Sequence, residues 1–160
     1  MNVKYFLIIG LVVGMMALTP LSAADEDYGI LDAMDITPFD ADTNVTIDGI
    51  DFNVPKGYGE QKDLTKDNDS YDLGFGEVTL SNYQYLNEDG DLLNIQVMSV
   101  KDKNFTDDQI TPEDGEVKKT INGREGFYSE NDGVAMFRYA QDGKSILVAG
   151  ESDVVSNVII

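Results

Sequence analysis

The fold is decided by residues 117–149, which read VKKTI-NG-REGFYSE-NDG-VAMFRYA-QDGK-SILVA. Four short runs rich in β-branched and aromatic residues are separated by three turn sequences. Asn-Gly and Asp-Gly dipeptides favour the left-handed backbone of tight hairpin turns. The stretch therefore predicts an antiparallel meander of four strands.

Similar runs precede this meander. Apolar and polar residues alternate over residues 50–54, and Asp48-Gly49 joins them to residues 45–47 as a hairpin turn would. Two longer runs, 77–86 and 92–100, predict further strands on either side of a polar turn.

The remaining segments predict loops and one helix. Residues 60–72 are polar and predict a loop, and the polar connection 104–115 has room for a short helix near residues 107–110. Ser152 is a suitable N-cap for a C-terminal helix with valines at helical spacing. The predicted class is α+β: a mainly antiparallel sheet of about seven short strands in hairpins and meander, with a short C-terminal helix.

The first 24 residues have the parts of a secretory signal peptide. Lys4 provides the positive start, an apolar run extends over residues 6–18, and Ser22-Ala23-Ala24 provides small residues for cleavage. The run is shorter than the ~20 residues that a membrane-spanning helix needs, which favours a cleaved signal. Tethering to the membrane by an uncleaved segment is the alternative. The predicted organisation is a signal peptide (1–24), an acidic spacer (25–43) and a single antiparallel-sheet domain (44–160).

Composition excludes several classes of function. The chain has 30 Asp and Glu against 11 Lys and Arg, a net charge of −19, and neither His nor Cys. Imidazole or thiol catalysis, Cys/His zinc sites and disulfides are therefore excluded. The charge opposes binding to nucleic acids and anionic lipids. We expect a secreted or cell-surface protein with no membrane insertion after cleavage.

Three motifs carry a family resemblance. Residues 49–58 have the form G-x-x-F-x-[IV]-P-x-G-Y, followed by Lys119–Gly123 and by Phe137-Arg138-Tyr139 ahead of Gly143-Lys144. Over most of residues 45–160 the combination resembles small secreted proteins of unassigned function from methane-producing archaea. The first motif is similar to that of PsbP/Mog1-type sandwich domains, in which an antiparallel sheet lies between helices. The resemblance implies that fold and export, and it carries over no catalytic residue.

Calcium is the one metal for which the sequence offers abundant ligands. Asp40, Asp42, Asn44, Asp48 and Asp51 occupy positions 1, 3, 5, 9 and 12 of a twelve-residue stretch, the rhythm of an EF-hand loop. The hypothesis is a calcium-stabilised adhesion module, and the alternative is a solvated acidic loop that enters a hairpin. A second carboxylate cluster consists of Asp67, Asp69 and Asp72.

Two further sites are hypotheses from side-chain chemistry. Glu125, between Arg124 and Gly126, is the candidate acid of a carboxylate-based hydrolase. Tyr83 and Tyr85 are predicted to share a sheet face with Thr79 and Ser81, where they could stack on sugar rings or on a partner protein. The alternative is that the terminal helix covers this face.

Three N-glycosylation sequons begin at Asn44, Asn68 and Asn104, where about one is expected by chance. The favoured hypothesis is an exported, non-catalytic cell-surface or envelope domain that binds an envelope protein or a glycan. The calcium module and the hydrolase are its alternatives. No cofactor other than calcium is expected.

Overall fold

The computed structural model describes residues 29–72 and 76–160. The predicted signal peptide and the first residues of the predicted spacer lie outside the described residues. A separate hairpin consists of β1 (Thr43–Ile47) and β2 (Ile50–Val54). The main sheet consists of β3 (Gly59–Glu60), β4 (Lys66–Asp72), β5 (Glu77–Leu86), β6 (Leu92–Val100), β7 (Val117–Ile121), β8 (Arg124–Asn131), β9 (Val134–Gln141) and β10 (Lys144–Glu151). The helices are α1 (Ile30–Ala33), α2 (Ser152–Val158) and a 3-10 turn at Asp107–Gln109.

The eight-stranded sheet joins two meanders. Its order is β5-β6-β10-β9-β8-β7, and β3 and β4 both pair with the outer edge of β5. Every pairing is antiparallel, which confirms the predicted fold class. Because β10 lies between β6 and β9, the connection from β6 to β7 has to cross the sheet.

The structure corrects two predictions of local structure. The predicted loop over residues 60–72 contains β4, an edge strand that pairs with β5. Its sequence, Lys-Asp-Asn-Asp-Ser-Tyr-Asp, has no alternation of apolar and polar residues. Charged side chains are common on edge strands, where they prevent pairing with another chain. The terminal helix is present as predicted, but its N-cap is Glu151 rather than Ser152.

One face of the sheet carries the core. The β1–β2 hairpin and α2 pack on it, and a β-bridge joins Phe52 to Ile159. The aromatic rings of Phe137 and Tyr139 stack at 5.3 Å in this core. Lys144 Nζ donates a hydrogen bond of 2.6 Å to the Asp48 carbonyl, so the turn of the hairpin is held against the β9–β10 turn.

The end of the predicted spacer packs on the domain. Leu31 and Ile36 are buried in a small cluster with Leu86. A Cβ on Gly59 would lie 2.4 Å from the Ile36 side chain, so the chain approaches β3 closely here. Within the described residues, no helix is long and apolar enough to cross a membrane.

The β6–β7 connection, residues 101–116, crosses the second face, and we call it the strap. The Phe105 N–H donates to the Gly143 carbonyl at 2.9 Å, which fixes the strap to the β9–β10 turn. Arg138, on β9, donates to Glu116 at 2.8 and 2.5 Å and to the Thr111 carbonyl at 3.0 Å. Glu113 adds an ion-pair contact at 3.3 Å.

This ion pair is buried. The Arg138 and Glu116 side chains are 4% and 1% exposed. Burial alone would raise the pKa of Glu116, but the hydrogen bonds from Arg138 and the Glu113 N–H, with the Arg138 charge, hold that pKa below its ordinary value. The pair therefore stabilises the folded state while Glu116 is ionised.

We expect Glu116→Gln to lower the free energy of unfolding by about 3 kcal/mol at neutral pH, because the buried guanidinium of Arg138 then keeps only the partly exposed Glu113 as a counter-charge. Below the ordinary glutamate pKa of about 4.3, the difference should narrow, because the unfolded chain then takes up a proton at Glu116, and it should be smallest below the lowered pKa of the folded state. Denaturant melts at a series of pH values measure both effects.

The matched control is Glu125→Gln, which breaks the exposed ion pair of Lys118 and Glu125 at 2.9 Å. Such a pair contributes about 1 kcal/mol or less. Equal losses for the two variants at neutral pH would contradict the proposed anchoring of the strap.

Candidate functional site

Beside the strap, the second face presents a set of half-buried side chains that we call the open face. They lie on four adjacent strands. The pairing register places them in three rows that run across these strands, with the buried Leu147 in the middle row. The open face consists of Leu80, Asn82, Gln84, Asn94, Gln96, Met98, Met136, Ala140 and Ala149.

Four carboxamides form the middle of the open face, and we call them the amide patch: Asn82, Gln84, Asn94 and Gln96. Asn82 lies opposite Gln96, and Gln84 lies opposite Asn94. Asn94 Nδ2 donates to Asn82 Oδ1 at 2.7 Å and to the Tyr83 carbonyl at 3.2 Å. Gln96 Nε2 donates to Asn94 Oδ1 at 3.1 Å. These bonds hold three of the four amides in a fixed arrangement.

The patch keeps hydrogen-bonding capacity for a ligand. Among the described residues, the Gln84 amide, Asn82 Nδ2 and Gln96 Oε1 have no side-chain partner. An amide both donates and accepts. Adjacent strands are about 4.8 Å apart and alternate residues about 6.8 Å apart, so the patch has the dimensions of one sugar ring.

The open face is uncharged in a chain of net charge −19. Charged residues border it on two sides. Arg138, on β9, is paired with its buried partner Glu116, and Lys66 and Asp69 of the edge strand β4 lie opposite Asn82 and Leu80. Leu80 and Met98 flank the patch on one side, with Met136 and Ala149 on the other. The arrangement therefore suits a neutral ligand that has both hydroxyl groups and apolar C–H surface.

The structure separates the predicted calcium ligands. Residues 43–47 and 50–54 pair as strands, so the twelve-residue stretch is a hairpin and not a loop around an ion. Asp42 precedes β1 and Asp48 follows it, about 20 Å apart at 3.3 Å per residue. Asp42 accepts from the Lys56 N–H and Asp51 accepts from Thr46. The geometry contradicts an EF-hand arrangement of Asp40, Asp42, Asn44, Asp48 and Asp51.

The second acidic cluster lies along β4. Asp67 accepts hydrogen bonds from Asn68 and Ser81, and Asp69 accepts one from Tyr71. Asp72 ends the strand. The described residues contain no group of three or more Asp or Glu placed to hold a metal ion.

The predicted tyrosine platform belongs to the core. Tyr83 and Tyr85 do share a face with Thr79 and Ser81, but this is the face under the β1–β2 hairpin. Tyr85 is 2% exposed and its ring lies 6.3 Å from that of Phe39. The face is therefore covered, and the hypothesis of a stacking surface at Tyr85 is wrong.

Glu125 lies at a cleft of about 470 Å³ between the strap and the β7–β8 hairpin. Phe127 and Ile110 give this cleft apolar walls, and Glu125 is exposed and paired with Lys118. A different carboxyl group, Glu151, has a raised pKa, caused by burial first and then by Asp91 and Asp153. Glu151 lies outside the residues that line the cleft, so the two carboxyl groups form no common site.

No family model, no curated protein and no solved structure matches this chain.

Sequence reasoning missed the amide patch. The alternation over residues 80–84 and 94–98 predicts which residues share a face, but it does not predict which face the hairpin and α2 cover. Because the hairpin and α2 cover the opposite face, the four amides of β5 and β6 together form one accessible surface.

We expect calcium and magnesium at equal ionic strength to raise the melting temperature of residues 25–160 by the same small amount, because both ions only screen a negative surface. Thermal melts in EDTA and in each ion measure this. A rise specific to calcium, abolished by Asp42→Asn and Asp51→Asn, would contradict the hairpin geometry described above.

Proposed function

We propose that this protein is an exported, non-catalytic domain of the cell surface or envelope that binds a neutral carbohydrate through its open face. The observation that carries the proposal is the amide patch: an uncharged, partly pre-arranged group of carboxamides on a sheet face of a strongly acidic chain.

The chemistry of the patch favours sugars. Carbohydrate hydroxyls both donate and accept hydrogen bonds, as carboxamides do. Their C–H surfaces pack on side chains such as Met98 and Leu80, which border the patch. Pre-arranged polar groups lower the ordering cost of binding, and the bonds that Asn94 makes to Asn82 and Gln96 supply this order.

The charge of the chain favours a neutral ligand. Carboxylated or sulfated glycans would approach a field of −19 charges and be repelled. Export is supported by the signal-like sequence of residues 1–24. A calcium-dependent adhesion module and a carboxylate hydrolase receive no support from the placement of Asp42, Asp51 and Glu125.

The test is binding to an array of neutral and of acidic oligosaccharides, followed by titration calorimetry with the best neutral one. We expect the double variant Asn82→Ala, Gln84→Ala to weaken binding at least tenfold, which corresponds to about 1.4 kcal/mol. The lost interactions are those of the amide patch.

The matched control is Asn53→Ala, which removes a half-buried amide from β2 on the hairpin layer. Its affinity should equal that of the wild type. Binding only to acidic glycans, or equal weakening by the control and the patch variant, would overturn the proposal. Binding to a protein in place of any glycan would also overturn it.

A further inference from the structure

We infer that Asn44, Asn68 and Asn104 are N-glycosylation sites, and that the glycan on Asn44 extends from the side of the domain opposite the open face. The inference rests on export, which is part of the proposed function. Its other supports are the three sequons and the position that the fold gives to each of them.

Exposure separates the sequon asparagines from many of the others. All three are exposed in the structure. The four half-buried asparagines, Asn53, Asn82, Asn87 and Asn94, begin no sequon, since the second residue after each is neither Ser nor Thr. Sequons are modified where the side chain is accessible at the surface.

Asn44 lies on the outward side of the hairpin layer. Its neighbour Val45 packs against the core, so alternation along β1 directs Asn44 and Thr46 away from the sheet. The hairpin covers the core face, and a glycan on Asn44 would therefore extend from the side of the domain opposite the open face.

Asn68 lies at an irregularity of the edge strand β4, where the register with β5 shifts between Lys66 and Asp69. Its backbone φ is +54°, a left-handed conformation that asparagine tolerates better than most residues. Among the described residues, no strand pairs with the outer side of β4, so the edge leaves room for a glycan.

Asn104 lies at the start of the strap, beside the β9–β10 turn. The next residue, Phe105, holds the backbone in place through its bond to the Gly143 carbonyl. Thr106, which completes the sequon, begins the 3-10 turn. This site is at the end of the sheet, away from the amide patch.

The open face itself contains no sequon. Its two asparagines are followed by Tyr83-Gln84 and Ile95-Gln96. Glycans at the three sites would shield the hairpin layer, one edge and one end of the sheet. The glycan on Asn68 would start nearest to the amide patch, one strand from Asn82.

The modification is a transfer from a lipid-linked oligosaccharide. The side-chain nitrogen of asparagine bonds to C1 of the reducing-end sugar and loses one proton. The bond from C1 to the lipid phosphate oxygen breaks, and the lipid phosphate leaves with the electron pair. No oxidant or reductant is required.

The experiment is mass spectrometry of the protein purified from the organism that encodes it, intact and as peptides, with its N-terminal residue and cell fraction determined. We expect a mature chain with oligosaccharides on Asn44, Asn68 and Asn104. Peptides that contain Asn131 or Asn157, which are exposed and begin no sequon, should be unmodified and serve as internal controls.

Variants expressed in the same organism test the sites without disturbing the fold. Ser70→Ala should remove the glycan on Asn68 while Ser70→Thr retains it, and neither change alters the left-handed residue. At each of the three sites, a sequon peptide that is unmodified in an exported chain would overturn the inference for that site. An intracellular, unmodified, full-length chain overturns both this inference and the proposed export.

Discussion

The architecture depends on one constraint: β10, the last strand, lies between β6 and β9. This placement joins two local meanders into one sheet and forces the β6–β7 connection to cross the second face. The crossing is made by the strap, and the buried pair of Arg138 and Glu116 holds it there. The β1–β2 hairpin and α2 pack on the core face, while the strap crosses only part of the other face. The open face results from this unequal coverage.

The strong negative charge of the chain contrasts with the neutrality of the open face. Acidic residues are abundant in this sequence, yet the nine side chains of the open face carry no charge, and Lys66 and Asp69 of β4 only border it. The amides there bond to one another, which keeps them ordered without burying them. In the proposed function, the specificity of binding comes from the neutral patch.

Much of the fold could be predicted from sequence because its signals are local. Asn122-Gly123 and Asp48-Gly49 specify tight turns, and both Asn122 and Asp48 adopt the expected left-handed backbone. β4 could not be predicted, since its residues are polar and only pairing with β5 makes it a strand. The site was harder to predict than the fold. The tyrosines and the amides of β5 alternate along the strand with the same period, and only the position of the hairpin determines which set is buried.

The central claim is that the open face is the binding surface. The most direct measurement is an NMR titration of the isotopically labelled protein with the neutral oligosaccharide that binds best. We expect chemical-shift changes concentrated on the amide patch. They should affect the side-chain NH₂ signals of Asn82, Gln84, Asn94 and Gln96 and the backbone signals of β5 and β6. Changes confined to the hairpin layer or to the cleft beside Phe127 would contradict this claim.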